Sequence, residues 1–229
     1  MAFTLKIISS MATKKLLAEL VAQFQQTTAQ AIETETVGGI DAAKRVQAGE
    51  AFDVVVLASN TIDQLTEAGR IVAGSRSDMV QSGVAIAVRA GAVQPDISTE
   101  AAVKQAVLAA RTLGYSTGPS GVQLVKLFER WGIAETIKSR IVQAPPGVPV
   151  GLLVARGEAE LGFQQFSELM HLPGITVLGP MPPEIQTMTT FSAALATNST
   201  QPAAVRALLE FLVSPAAAEI KLRNGMQPV

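Results

Sequence analysis

The chain has no cysteine and only one histidine, one tryptophan and one tyrosine among its 229 residues. Without thiols there are no disulfides and no cysteine nucleophile. That fits an oxidising compartment, but many cytosolic chains also lack cysteine. A single histidine excludes a multi-histidine metal centre, and His171, in "ELMHLPG", reads as a residue capping a helix end. Charge of one sign is lacking too. Eighteen Lys and Arg oppose 19 Asp and Glu, a net charge of −1, so no basic excess exists to neutralise nucleic-acid phosphates. No run approaches the roughly 18 apolar residues of a membrane span. The apolar piece of "MAFTLKIISS" is too short and too poorly flanked for a signal peptide. Two locations therefore stay open: cytoplasmic, or periplasmic as a mature form with a starting methionine added.

What is present is material for a core. Hydrophobic residues make up 48% and charged residues 16% of the chain, and 229 residues suit two lobes of about 100 each. Short β-like runs alternate with helical periodicity. "LKIISS" precedes a helix over about 12–28, "IETETV" one near 41–49, and "FDVVVLAS" one near 61–68. "GVAIAVRA" is a strand, followed by a helix over about 99–110. "LGYST" precedes an amphipathic helix, and "SRIVQ" precedes a helix around 150–156. "ELGFQQ", "GITVLG" and "TMTTFSAALA" are further strands, and helices near 202–212 and 215–224 close the chain. This alternation predicts an α/β fold with largely parallel sheets. The unbroken apolar runs at 54–57 and 84–88 suit strands covered on both faces. Leu124, Val125, Phe128 and Trp131 form one helical stripe and read as core.

In open α/β sheets ligands bind beyond the carboxyl ends of the strands, where helices begin. Those junctions share a theme here: Ser9-Ser10, Gly38-Gly39, Ala58-Ser59, the run from Ser116 to Gly121, and the run from Pro145 to Val150. Each would present unpaired backbone N–H groups at a positive helix end. Small residues let a ligand reach that backbone, and hydroxyls add donors. One helix end contributes about 0.3–1 kcal/mol to an exposed anion, so several ends plus direct hydrogen bonds could approach the roughly 8 kcal/mol of a micromolar site. Each junction also reads as an ordinary N-cap, since Ser, Thr and Gly are preferred there for stability alone. "GPSG" lacks the Gly-Lys-Ser/Thr of a P-loop, no Gly-x-Gly-x-x-Gly occurs, and Ser120 does not sit in a nucleophile elbow. No cofactor and no metal are expected.

Several stretches together resemble the periplasmic solute-binding proteins of the molybdate-binding type, components of ABC importers. They are "ISSMATKKLLAEL", "VGGIDAAKRVQAGEAFDVVVLAS", "GPSGVQLVKLFERWGI", "VPVGLLVARGEAELGFQQFSEL" and "FLVSPAAAEIKLRNGM", in that order over nearly the whole chain. The resemblance implies a type 2 periplasmic-binding-protein-like fold, with two hinged doubly wound lobes joined by two crossover strands. Lobe 1 would span 1–81 plus 189–229 and lobe 2 82–188, with crossovers near 81–84 and 188–190. It further implies an anion held in the cleft by Ser9, Ser10, Gly38, Gly39 and Ser59 from lobe 1 and by Thr117, Ser120, Val148 and Gln165 from lobe 2. Ser10 matches the family's first-loop serine, while Ser120 and Val148 match backbone donors. Two positions depart from the pattern. Gly38-Gly39 replaces a second-loop serine, and Gln165 replaces a tyrosine. Losing two hydroxyl donors disfavours a tetrahedral oxyanion and favours a larger or carboxylate-bearing one.

The resemblance implies a monomeric binding protein that presents a small anion to the membrane subunit of an ABC transporter. Some proteins resembling this family instead isomerise aconitate, a proton transfer for which Glu168, Lys14, Tyr115 and His171 are the available carriers; each also reads as a surface or capping residue. A sensor domain is a third option, with no DNA-binding segment attached. Arg76, in "AGSRSD", reads either as a cation at the cleft edge or as part of a surface turn.

Overall fold

A computed structural model describes residues 4–229. In chain order the elements are β1 (Leu5–Ser10), α1 (Lys14–Thr27), β2 (Ile32–Val37), α2 (Gly39–Gln47), β3 (Val54–Ala58), α3 (Ser59–Glu67) and β4 (Ser77–Arg89). Then follow α4 (Glu100–Ala109), β5 (Leu113–Ser116), α5 (Pro119–Arg130), α6 (Ala134–Ile137), β6 (Ile141–Ala144), α7 (Val150–Ala155), β7 (Leu161–Gln165), α8 (Phe166–Leu169) and β8 (Ile175–Pro180). The chain ends with β9 (Met188–Leu195), α9 (Pro202–Val213), α10 (Ala218–Arg223) and β10 (Gln227–Pro228). The result is a mixed α/β fold.

The chain forms two compact units, one comprising Met1–Ser82 with Thr190–Val229 and the other Gly83–Thr189. Both passages of the chain from one to the other lie inside strands, in β4 and at the start of β9.

In the first unit β2, β1 and β3 run parallel, with Ser9 level with Thr36 and with Val56. β9 lies antiparallel to β3, and β10 antiparallel to the first half of β4. Every residue of β3 is buried, as its unbroken apolar run requires of a strand covered on both faces. One face packs Ile7, Val54 and Val56 against Leu16, Leu17 and Leu20 of α1 and Leu208 and Leu212 of α9. The other packs Ile8, Val55 and Leu57 against Ala42, Val46, Ile62 and Leu65 of α2 and α3.

In the second unit β6, β5 and β7 are parallel, and the second half of β4 pairs antiparallel with both β7 and β8. The α5 stripe is core as expected. Leu124 and Phe128 are buried, and Val125 and Trp131 pack against the same cluster. Trp131 also donates its indole N–H to Glu100 at 2.6 Å. Within each unit, then, three parallel strands bring their carboxyl ends to one edge.

The main departures from the expected elements lie at boundaries. α2 begins at Gly39, two residues before the reading from periodicity, and β4 runs to 13 residues. The short helices α6 and α8, of four residues each, were not expected. One turn of helix carries no periodic signal, and both are held by tertiary contacts through buried Ile137 and Leu169.

Candidate functional site: two small-residue rims

The first unit's rim is bare. Ser10 closes β1 and is 7% exposed, yet its hydroxyl has no hydrogen-bond partner. A short 3-10 turn begins directly after it, with no side-chain cap. Level with it, Val37 ends β2, Gly38 caps α2 in an extended conformation, and Gly39 opens the helix. A methyl group added at Gly39 would meet the Ser10 Cβ at 3.7 Å, ordinary contact, so these two residues adjoin. On the other side of β1, Ala58 caps α3 and Ser59 begins it, partly exposed and with no side-chain cap bond. Ser9 differs from these. It is fully buried, and its hydroxyl shares a 3.0 Å hydrogen bond with Thr36 on β2. Ser9 ties two strands together, while the Ser10 hydroxyl has no hydrogen-bond partner among the described residues.

The second unit's rim is built around α5. Gly118, not Ser120, is the N-cap; Pro119 occupies the first helical position and Ser120, 2% exposed, lies within the first turn. The Ser116 hydroxyl accepts from the Gly118 N–H at 3.3 Å, which fixes the loop containing Thr117. Gly121 is required sterically, because a Cβ there would stand 1.7 Å from the Ser116 carbonyl oxygen. That close approach seats the start of α5 directly on the end of β5. Its first N–H groups have no intrahelical acceptors, so this twelve-residue helix presents donors at the loop.

Val148 does not present an open donor. Pro145 to Val148 form a turn in which the Val148 N–H donates to the Pro145 carbonyl at 3.0 Å, with Gly147 at φ +76° supplying the left-handed residue the turn needs. The backbone donor expected there is consumed by its own loop. The next donor, the Val150 N–H, is consumed as well, by Gln164 Oε1 at 2.8 Å.

Gln165 ends β7 and caps α8 while being 1% exposed. Its amide nitrogen donates to the Thr189 hydroxyl at 2.8 Å, and its Oε1 has no partner. Neighbouring Gln164 donates through Nε2 to Glu168 at 2.7 Å. Burial pushes the Glu168 carboxyl up to about 7, opposed in part by that hydrogen bond. Thr189 and Gln164 were not singled out in the sequence. Two adjacent buried amides at a strand end carry no motif, and only the fold shows what each one holds.

The other proton carriers fare unevenly. Lys14 and His171 are exposed, and Tyr115 is buried, with burial pushing its hydroxyl up from the usual tyrosine range. Arg76 is engaged, bridging Asp63 at 2.6 Å and Asp78 at 2.9 Å on the surface. Of its two readings the surface turn holds. Among the described residues no group of three His, Cys, Asp or Glu could hold a metal ion, and no helix is long and apolar enough to cross a membrane.

Each unit thus brings three parallel strands to one rim, and comparison with solved structures identifies the fold. The fold is that of the type 2 periplasmic binding proteins. The Azotobacter vinelandii periplasmic molybdate-binding protein superposes with a TM-score of 0.79 at 18% identity, covering 97% of this chain and 98% of that one. A tungstate-binding protein from Desulfovibrio alaskensis gives 0.71 at 15% identity, covering 100% and 99%. More particularly, the chain belongs to the bacterial extracellular solute-binding protein family, whose model matches residues 5–227. Over 188 residues it is 43% identical to a Pseudomonas protein named aconitate isomerase, covering 81% of this chain and 71% of that protein. Over 211 residues it is 26% identical to the molybdate-binding protein ModA of Azotobacter vinelandii, covering 88% and 81%.

Proposed function

We propose that this solute-binding protein captures a small organic polycarboxylate, with the Ser10–Gly39 edge of the first unit as one donor-bearing rim and the Thr117–Ser120 loop with Gln165 of the second unit as another. The observation that carries this reading is the Ser10 hydroxyl, buried at a strand end without a partner. An unmade hydrogen bond on a buried hydroxyl costs free energy that a bound anion would recover. Gly39 beside it leaves the first turn of α2 open to a ligand broader than a hydroxyl-capped loop would admit. A relative at 43% identity whose name concerns a tricarboxylate supports a carboxylate over molybdate, the ligand in the name of the relative at 26%. Delivery to the membrane subunit of an ABC importer, from the periplasm, is the corresponding role.

A thermal-shift and calorimetric panel tests this reading. It comprises cis- and trans-aconitate, citrate, tricarballylate, molybdate, tungstate, sulfate and phosphate. A true ligand at 100 times its Kd adds about 2.7 kcal/mol to stability. The expected order places tricarboxylates above molybdate. Silence across the whole panel would sink the reading.

The same relative favours a second reading, isomerisation of aconitate by moving a proton between its carbons. Such chemistry needs an anion-binding site and one or two proton carriers rather than a nucleophile. Incubation with either aconitate isomer, followed by NMR, separates the readings: conversion makes the protein an enzyme, and tight binding without conversion makes it a receptor.

A further inference from the structure

Glu168 lies at the end of a hydrogen-bonded chain in the second unit. Its carboxylate accepts from Gln164 Nε2 at 2.7 Å, and Gln164 Oε1 accepts from the Val150 N–H at 2.8 Å. The amide orientation is unambiguous, because a backbone N–H can only donate and the amide oxygen must face it. The chain thus links a carboxyl group on α8 to the first N–H of α7, through a glutamine that is 2% exposed.

Among the described residues no ionisable partner balances that carboxyl. β7 (LGFQQ), α7 (VGLLVA) and β8 (ITVLGP) carry no titratable side chain, and in α8 (FSEL) Glu168 is the sole one. The β4 residues opposite, 83–88, are also uncharged, and the cluster here is Ala85, Ala87 and Leu169 with Phe166, Ile175 and Val177 around it. The nearest ionisable residues along the chain, Arg156, Glu158, Glu160 and His171, are exposed, as is Arg89 at the end of β4. Burial and the Gln164 amide are the influences that set the acidity of Glu168. A glutamine at 168 would accept the same hydrogen bond without burying a charge. What the carboxyl adds is an exchangeable proton.

We infer that Glu168 is a proton-linked positioning residue: through Gln164 it holds the start of α7, and an anion captured on this unit's rim binds together with a proton on Glu168. The inference rests on the anion-capture reading above. Gln165 stands on the rim three residues before Glu168, so a captured anion adds negative potential to a site whose surroundings offer no countercharge. In a low-dielectric interior such potential is weakly screened. It favours the protonated carboxyl, and by linkage the protonated form favours the anion. The group that takes up the proton changes charge near neutrality, where the effect is measurable.

The test is titration calorimetry of the full chain and its Glu168→Gln variant with citrate and trans-aconitate, from pH 6 to 8.5, in buffers of different ionisation enthalpy. The ligand's own protons contribute equally to both proteins, so the difference reports Glu168. Wild type should take up more protons than the variant near pH 7. Its affinity relative to the variant should fall about three- to tenfold between pH 6 and 8.5. Parallel pH profiles with equal proton uptake would overturn the inference while leaving anion capture intact. If no ligand of the panel described above binds either protein, both proposals fall together. Should the variant not fold, NMR of the 13C-labelled Glu168 carboxyl in wild type decides instead. Its titration midpoint should move up when ligand is added, and an unmoved midpoint overturns the inference.

Discussion

Each unit brings three parallel strands to one edge, yet the two finish those ends in different ways. The first unit leaves its rim open, with a Ser10 hydroxyl unpartnered among the described residues and a glycine at the start of α2 with space beside it. The second unit spends its polar groups on itself. Ser116 ties its own loop, Val148 closes a turn, Gln164 joins Val150 to Glu168, and Gln165 holds Thr189. The lesson is about division of labour. On the anion-capture proposal, an open rim would offer affinity to many anions, whereas a tied rim would fix the positions of the few donors it leaves free and so discriminate among them.

The sharpest test of the contrast compares two glycines. Gly121→Ala puts a methyl group within 1.7 Å of the Ser116 carbonyl oxygen, and the backbone must move. We expect a loss of about 3 kcal/mol or more in urea denaturation. Gly39→Ala meets only a 3.7 Å contact; stability should stay within about 0.5 kcal/mol while ligand affinity falls. Equal penalties at the two positions would erase the distinction between a structural glycine and an open one.

Next is the half-buried carboxyl of the tied unit. The folded pKa of Glu168 is raised, to about 7 from 4.5. Its favourable contribution is therefore fully present below the unfolded value and is lost as pH rises through about 7. Glu168→Gln should gain on wild type with rising pH, by up to about 3 kcal/mol above pH 8. Melting curves of both proteins at pH 5 and 8.5 read this directly, and a constant difference would show that the carboxyl is better solvated than its burial implies.

Ser10→Ala asks the matching question of the open rim. Removing a donor to a bound anion should weaken binding by about 1.5–3 kcal/mol, roughly ten- to a hundredfold, while the ligand-free protein keeps its melting temperature. Ser9→Ala should behave in reverse, costing about 1 kcal/mol of stability through Thr36 and little affinity. If the two serines exchanged roles, the geometry of β1 would have been misread.

The smallest effect belongs to the open unit's buried cation. Lys221, on α10, is 1% exposed, and burial pushes its amine below the usual lysine range. The unfolded chain then binds more protons than the folded one between the two pKa values, so stability rises with pH through that window. Lys221→Met should add about 1 kcal/mol at pH 7 by removing a desolvated charge, measured by chemical denaturation.

Much of this molecule was legible in order and type. The alternation of strands and helices, the buried run of β3, the α5 stripe and the crowding of Ser and Gly at strand ends all follow from local pattern. Legibility failed where a backbone group had two possible partners. Val148 had the sequence of an open donor, and its own turn took the bond. Ser120 had the composition of a cap, but Pro119 at the first helical position placed Gly118 there instead. Gln164 and Gln165 are adjacent and chemically identical, yet one faces Val150 and Glu168 and the other Thr189, because successive residues of a strand point to opposite faces.

Sequence alone thus determined the α/β class and the strand-to-helix junctions where small residues gather, since hydrophobic period and small-residue junctions are properties of neighbours along the chain. Only the tertiary structure decided which donors stay free and which carboxyl is half-buried. Those depend on residues far apart in the chain, such as Gln165 and Thr189 or Val150 and Gln164, competing for the same few hydrogen bonds, and burial rather than identity sets their worth.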